Sequence, residues 1–174
     1  EGPFFYSKID AEGQWVESYD PVKQTLDSSP ADPASYSELI AEGMDTWDFS
    51  LAKDDGTGSR ASGYDRLTGQ SVVIDGITLQ QTEVDFTEYD LSGTVLRRSK
   101  GNEYVNPDWR LLFAGPGKTD LGDGQWLPID GSPMQFVFPG EDGFISNQPI
   151  FDCDALTAEA ARPIPPVLPV SLKE

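Results

Sequence analysis

Between Thr46 and Lys53, Trp47, Phe49 and Leu51 alternate with Asp48, Ser50 and Ala52. A period of two predicts a strand with one face in a core and the other in water. The turn-forming run Asp54-Asp55-Gly56-Thr57-Gly58 follows, and a second strand is expected from Ser59 to Arg66. The strongest hairpin pattern is Val72-Val73-Ile74, then Asp75-Gly76, then Ile77-Thr78-Leu79, because Asp-Gly suits a type I′ turn.

The strand after that turn runs to about Tyr89 and changes phase midway. Ile77 and Leu79 are odd, Val84 and Phe86 even. A straight strand cannot bury both sets on one side, so a bulge near Gln81 and Thr82 is expected. Further strands are expected over Thr94–Lys100, Asn102–Val105 and Trp109–Phe113, with looser chain beyond Gly115-Pro116-Gly117 and another strand carrying Met134, Phe136 and Phe138. Phe4 to Tyr19 reads as an opening hairpin turned at Asp10-Ala11-Glu12-Gly13.

Helix is scarce. Pro33 to about Glu42 is the main candidate, with Asp32 as N-cap, Pro33 at the first helical position, Tyr36, Leu39 and Ile40 on one face, and Gly43 as terminator. A second, short helix is expected over Ala155–Ala161, ended by Pro163.

These elements make a mainly β fold. The expected architecture is a single antiparallel β-barrel or strongly curved β-sandwich of eight to ten strands, with one or two short helices. Residues 1–162 form one β-rich domain in this reading. Residues 163–174 form an extended tail, because Pro163, Pro165, Pro166 and Pro169 exclude helix.

Composition narrows the chemistry. The 174 residues carry 30 Asp and Glu against 12 Lys and Arg, a formal charge of −18, and no histidine. No His-based triad and no His-ligated zinc can be built. The single Cys153 cannot form an intrachain disulfide and has no imidazole to activate it. The charge disfavours nucleic acid and anionic lipid as partners, and no segment approaches the roughly 20 apolar residues of a membrane span. The sequence has neither a P-loop nor a dinucleotide fingerprint, so no cofactor is expected. An acidic, aromatic-rich, loop-heavy chain with one cysteine fits an exported bacterial protein, periplasmic or secreted.

Three groups could carry function. Arg60, Arg66, Arg97, Arg98, Lys100, Arg110 and Lys118 concentrate seven of the twelve bases in the central hairpins. Arg98 and Lys100 share a strand face and, with Tyr64, Tyr104 and Trp109, form a candidate ligand-binding set; cross-strand pairing with nearby acids is the competing role. Glu83 and Asp85, two apart on a strand, and Glu103 are the candidate catalytic carboxylates. The acidic loops holding Asp54, Asp55 and Ser59, Asp120 and Asp123, and Glu141 and Asp142 raise calcium, but Asx-turns account for them and no metal is assigned.

The leading functional expectation is a non-enzymatic module binding a small amphipathic or anionic ligand in the mouth of the sheet. A carboxylate-based hydrolase or lyase acting on a glycan-like substrate is the alternative. A structural component of an envelope complex is the third. A carboxylate with a raised pKa inside a concavity, rather than on a wet face, distinguishes the second from the first.

Overall fold

The computed structural model describes residues 6–20 and 22–146. The chain divides into two compact units, Glu1–Gln135 and Phe136–Glu174. Cys153, the helix expected over Ala155–Ala161 and the proline-rich tail lie outside the described residues.

The first unit is one antiparallel sheet in which every strand pairs with its sequence neighbours. Its strands are β1 (Tyr6–Ile9), β2 (Trp15–Asp20), β3 (Val22–Leu26), β4 (Met44–Lys53), β5 (Gly58–Ile74), β6 (Ile77–Asp90), β7 (Val95–Asn106), β8 (Leu111–Asp120) and β9 (Leu127–Asp130), with α1 (Tyr36–Glu42) between β3 and β4. The sheet curls into a half-barrel. The mainly β expectation holds, and the curl remains open in its backbone pairing, with β1 and β9 at the ends of the strand order.

Alternation in β4 works as read: Trp47, Phe49 and Leu51 are buried and pack with Ala61 of β5 and Phe86 of β6. The Asp75-Gly76 turn also forms, with φ of 48° and 77° and Ile74 paired to Ile77. Gly63 lies opposite Trp47 in the ladder. A β-carbon there would run into the indole and the Asp85 carbonyl, so the bare backbone is what lets the ring approach β5.

Several boundaries differ from the sequence reading. The irregularity expected in β6 sits in its neighbour: β6 is regular through Gln80–Thr82, and the extra residues belong to β5 between Leu67 and Ser71, where Gly69 has φ of 76°. Leu79 and Phe86 therefore need not share a face, and by alternation they do not. The chain expected to loosen beyond Gly115-Pro116-Gly117 instead stays paired, and that run is the middle of β8. Gly117 faces Gly101 of β7 so closely that a side chain on either would strike the other strand's backbone. The expected strand over Met134, Phe136 and Phe138 is not formed, and β9 takes the last place. Alternation sets which way side chains point but not whether a segment pairs, and Pro133 and Pro139 bracket this one.

The N-cap of α1 is Ser35 rather than Asp32. Ser35 Oγ accepts the Glu38 N–H at 3.2 Å, and Gly43, with φ of 81°, closes the other end on the Leu39 carbonyl. Asp32 and Pro33 precede the helix because the Asp32 backbone bridges Asp48 of β4, which holds it extended. Tyr36 and Leu39 are buried, whereas Ile40 is partly exposed.

Side chains tie the curl where the ladder does not. The Arg110 guanidinium, in the β7–β8 turn, pairs with Glu12 of the β1–β2 turn at 2.6 Å and lies 4.8 Å over the Tyr36 ring. Arg110 also bonds the Ala11 carbonyl at 2.9 Å, and Tyr36 donates its hydroxyl to the Asn106 carbonyl at 2.8 Å. Arg110 holds φ of 53°, a conformation L-residues adopt rarely, so these contacts offset a local backbone cost of about 1 kcal/mol or more.

Candidate functional site

The inner face of the curl encloses a cavity of about 480 Å³. Its floor is aromatic: Trp47 lies 5.7 Å from Phe86, Trp15 lies 6.1 Å from Phe86, and Trp15 meets Phe49 edge-on at 5.8 Å. Tyr36 and Leu39 of α1 line it as well, as do Val84, Leu112 and Ala114.

Three carboxyl groups stand on that apolar lining. Asp45 and Asp65 are direct cross-strand partners on β4 and β5, and Glu103 projects from β7 opposite Thr82 and Ala114. Asp45 accepts the Ser35 N–H at 2.9 Å, and Asp65 accepts the Trp47 indole N–H at 3.2 Å through one oxygen. The other Asp65 oxygen is buried without a hydrogen-bond partner. Glu103 makes no hydrogen bond among the described residues, and none of the three takes part in an ion pair there.

Removal from water favours the neutral acid. Burial lifts Asp45 to about 6, against the bond from Ser35 and with added repulsion from Asp65. Burial likewise lifts Asp65 to about 6 despite the indole bond, and lifts Glu103 to about 8 with Asp65 adding to it. Burial thus holds all three toward the neutral, hydrogen-bond-donating form, Glu103 most strongly.

One cation shares the space. The Arg97 guanidinium lies 4.8 Å over the Phe86 ring and pairs with Glu88 at 3.3 Å, while its Nε is buried and unbonded.

The residues singled out from sequence separate onto two faces. Glu103 lines the inner cavity. Tyr64, Glu83, Asp85 and Lys100 instead meet in a shallow outer depression with Asn102 and Lys118. There Glu83 accepts from Arg66 at 2.6 Å and from the Tyr64 hydroxyl at 3.2 Å, which holds its carboxyl below the usual range. Asp85 pairs with Lys100 at 2.8 Å. Arg98 is exposed, Tyr104 is buried beside Gly115, and Trp109 meets Phe113 edge-on at 6.3 Å; none of these lines the inner cavity.

The acidic loops close on themselves. Asp55 accepts the Thr57 N–H, Asp120 accepts those of Gly122 and Gly124, and Glu141 accepts that of Phe138. Among the described residues no group of three or more Asp, Glu or Cys side chains is arranged to hold a metal ion.

Asp45, Asp65 and Trp15 escaped the sequence reading as site residues, and Arg97 entered it only as one of the seven clustered bases. Asp45 carries a usable signal, being in phase with Trp47, Phe49 and Leu51 on the buried face of β4. Comparison with known families, with characterised proteins and with solved structures finds no match to this chain.

Proposed function

We propose that the protein binds a small amphipathic molecule in the inner cavity of the half-barrel. One observation carries this reading: an aromatic floor and three carboxyls face the same 480 Å³ space. That volume lies within the roughly 300–1,000 Å³ of small-molecule sites, which are mainly apolar with a few convergent polar groups. The apolar body packs on Trp15, Trp47 and Phe86. Its polar end reaches Asp45, Asp65 and Glu103.

The neutral fluorescent probe N-phenyl-naphthylamine tests this directly. Its emission should rise on binding the wild-type protein. Ser99→Phe fills the cavity from β7 and should weaken the probe about tenfold or more while leaving the thermal midpoint in place. No emission change with wild type, or equal binding by a folded Ser99→Phe protein, overturns the reading.

A second reading, acid–base catalysis on the bound molecule, draws on Glu103 and Asp65. They are neighbouring carboxyls held at different pKa values, about 8 and about 6, the arrangement that lets one act as acid and the other as base. A substrate bound equally by wild type and Glu103→Gln, but turned over only by the former, would select it.

A further inference from the structure

Resting on the cavity-binding reading, we infer that the occupant is an organic cation, an apolar body bearing a protonated or quaternary nitrogen, received between the Trp15–Trp47–Phe86 rings and the Asp45–Asp65–Glu103 carboxyls.

The charge balance of the cavity leads there. The charged or titratable groups lining it are Glu12, Tyr36, Asp45, Asp65, Glu103 and Arg97, and burial keeps the Tyr36 phenol neutral. Glu12 is matched by Arg110, and Arg97 by Glu88. Among the described residues, Asp45, Asp65 and Glu103 remain with no positive partner. Burying carboxyls without counter-charge is unfavourable, and among the described residues the one cation lining the cavity, Arg97, pairs with Glu88 rather than with any of the three. A ligand's nitrogen would supply one.

The rings add a second, independent attraction. Aromatic faces are electron-rich and draw cations lying within about 6 Å of the centroid. Phe86 already receives Arg97 in this way at 4.8 Å. Trp15 and Trp47 flank Phe86 at 6.1 and 5.7 Å and line the same space. Polar capacity is also in hand: Asp65 lines the cavity, and one of its oxygens is buried and unbonded among the described residues.

A cation beside Glu103 favours its ionised form. Binding near neutral pH therefore expels a proton from that carboxyl, which makes ligand capture pH-dependent. Affinity should rise as pH increases from about 6 to about 8, the range over which the three carboxyls ionise.

Three probes with one ring and one short arm separate the alternatives: phenethylamine, phenethyl alcohol and phenylacetate, titrated calorimetrically into the full chain. The amine should bind about tenfold or more tighter than the alcohol, with phenylacetate weakest. Its apparent enthalpy at neutral pH should differ between phosphate and Tris by the heat of ionising released protons. Glu103→Gln should remove most of that buffer dependence, and a dependence unchanged in the variant overturns the inference. Phenylacetate binding as tightly as the amine, or none of the three binding while the naphthylamine does, overturns the cation inference and leaves the cavity reading standing. Failure of the naphthylamine as well removes the cavity reading itself.

Discussion

Glu83 and Asp65 belong to neighbouring strands of one sheet, yet their carboxyls live in different solvents. Glu83 faces outward, takes Arg66 and Tyr64 as partners, and ionises more readily than a free glutamate. Asp65 faces inward, has one indole N–H for company, and resists ionisation up to about 6. The same contrast separates Asp48, bonded to Arg60 on the outer face, from Asp45 three residues earlier on the inner one. Alternation along an extended chain therefore sorts one residue type into two roles. On the wet face acids pair with bases and contribute little; on the inner face they remain chemically unspent.

The sharpest way to break this comparison is to remove the wall that creates the inner environment. Trp47→Ala deletes a buried ring and, among the described residues, the only hydrogen bond to the Asp65 carboxyl. It should cost about 3–5 kcal/mol by denaturant unfolding, and Asp65 should lose its distinct titration as water enters. A loss below about 1 kcal/mol would mean the inner face is already wet.

Next in size is the pH dependence tied to Glu103. Its folded pKa, about 8, stands above the ordinary 4.5. The unfolded chain therefore releases this proton first, and the stability contributed by the neutral acid is complete below about pH 4.5 and drains away as pH rises through about 8. Glu103→Gln cannot ionise, so its stability relative to wild type should climb across that window by roughly 2–4 kcal/mol. Parallel stability curves would place Glu103 in water. Carbon-detected NMR gives the same contrast group by group: Glu103, Asp65 and Asp45 should titrate above their ordinary values, and Glu83 and Asp48 below theirs.

Gly63→Ala probes the contact between the two faces, since the new methyl meets Trp47 and the Asp85 carbonyl. The expected loss is about 1–3 kcal/mol in thermal or chemical unfolding. The smallest effect belongs outside. Arg66→Ala breaks the Glu83 pair where both side chains are about half exposed, and should change stability by under about 1 kcal/mol while returning the Glu83 titration toward its ordinary value.

How far the site could be read beforehand follows from how strongly each strand declares its faces. β4 does so plainly, with Trp47, Phe49 and Leu51 inward, and Asp45 stands out as an acid in the buried phase. β5 does not. Its inward residues beside Asp65 are Gly63 and Ala61, small because Trp47 and Phe49 from β4 occupy the space above them. A strand whose inner face is small because its neighbour is large has no apolar period, so Asp65 looks like any solvated acid. Glu103 was legible as a titratable candidate, but its companions were not, because nothing local to β7 fixes which residues β4 and β5 set across from it.

Sequence by itself determined the extended, antiparallel character of this protein. Glycine and proline corners and a period of two are local facts, written into the backbone preferences of a few residues at a time. The same locality identified the Asp75-Gly76 turn and the core strand β4. Only the tertiary structure decided that β5 carries the extra residues, that Gly117 nests against Gly101, and that Arg110 ties Glu12 across the curl. It also decided that Asp45, Asp65 and Glu103 line one cavity. Those outcomes depend on which surfaces meet, and burial, the force that moves a carboxyl's proton, exists only after they have met.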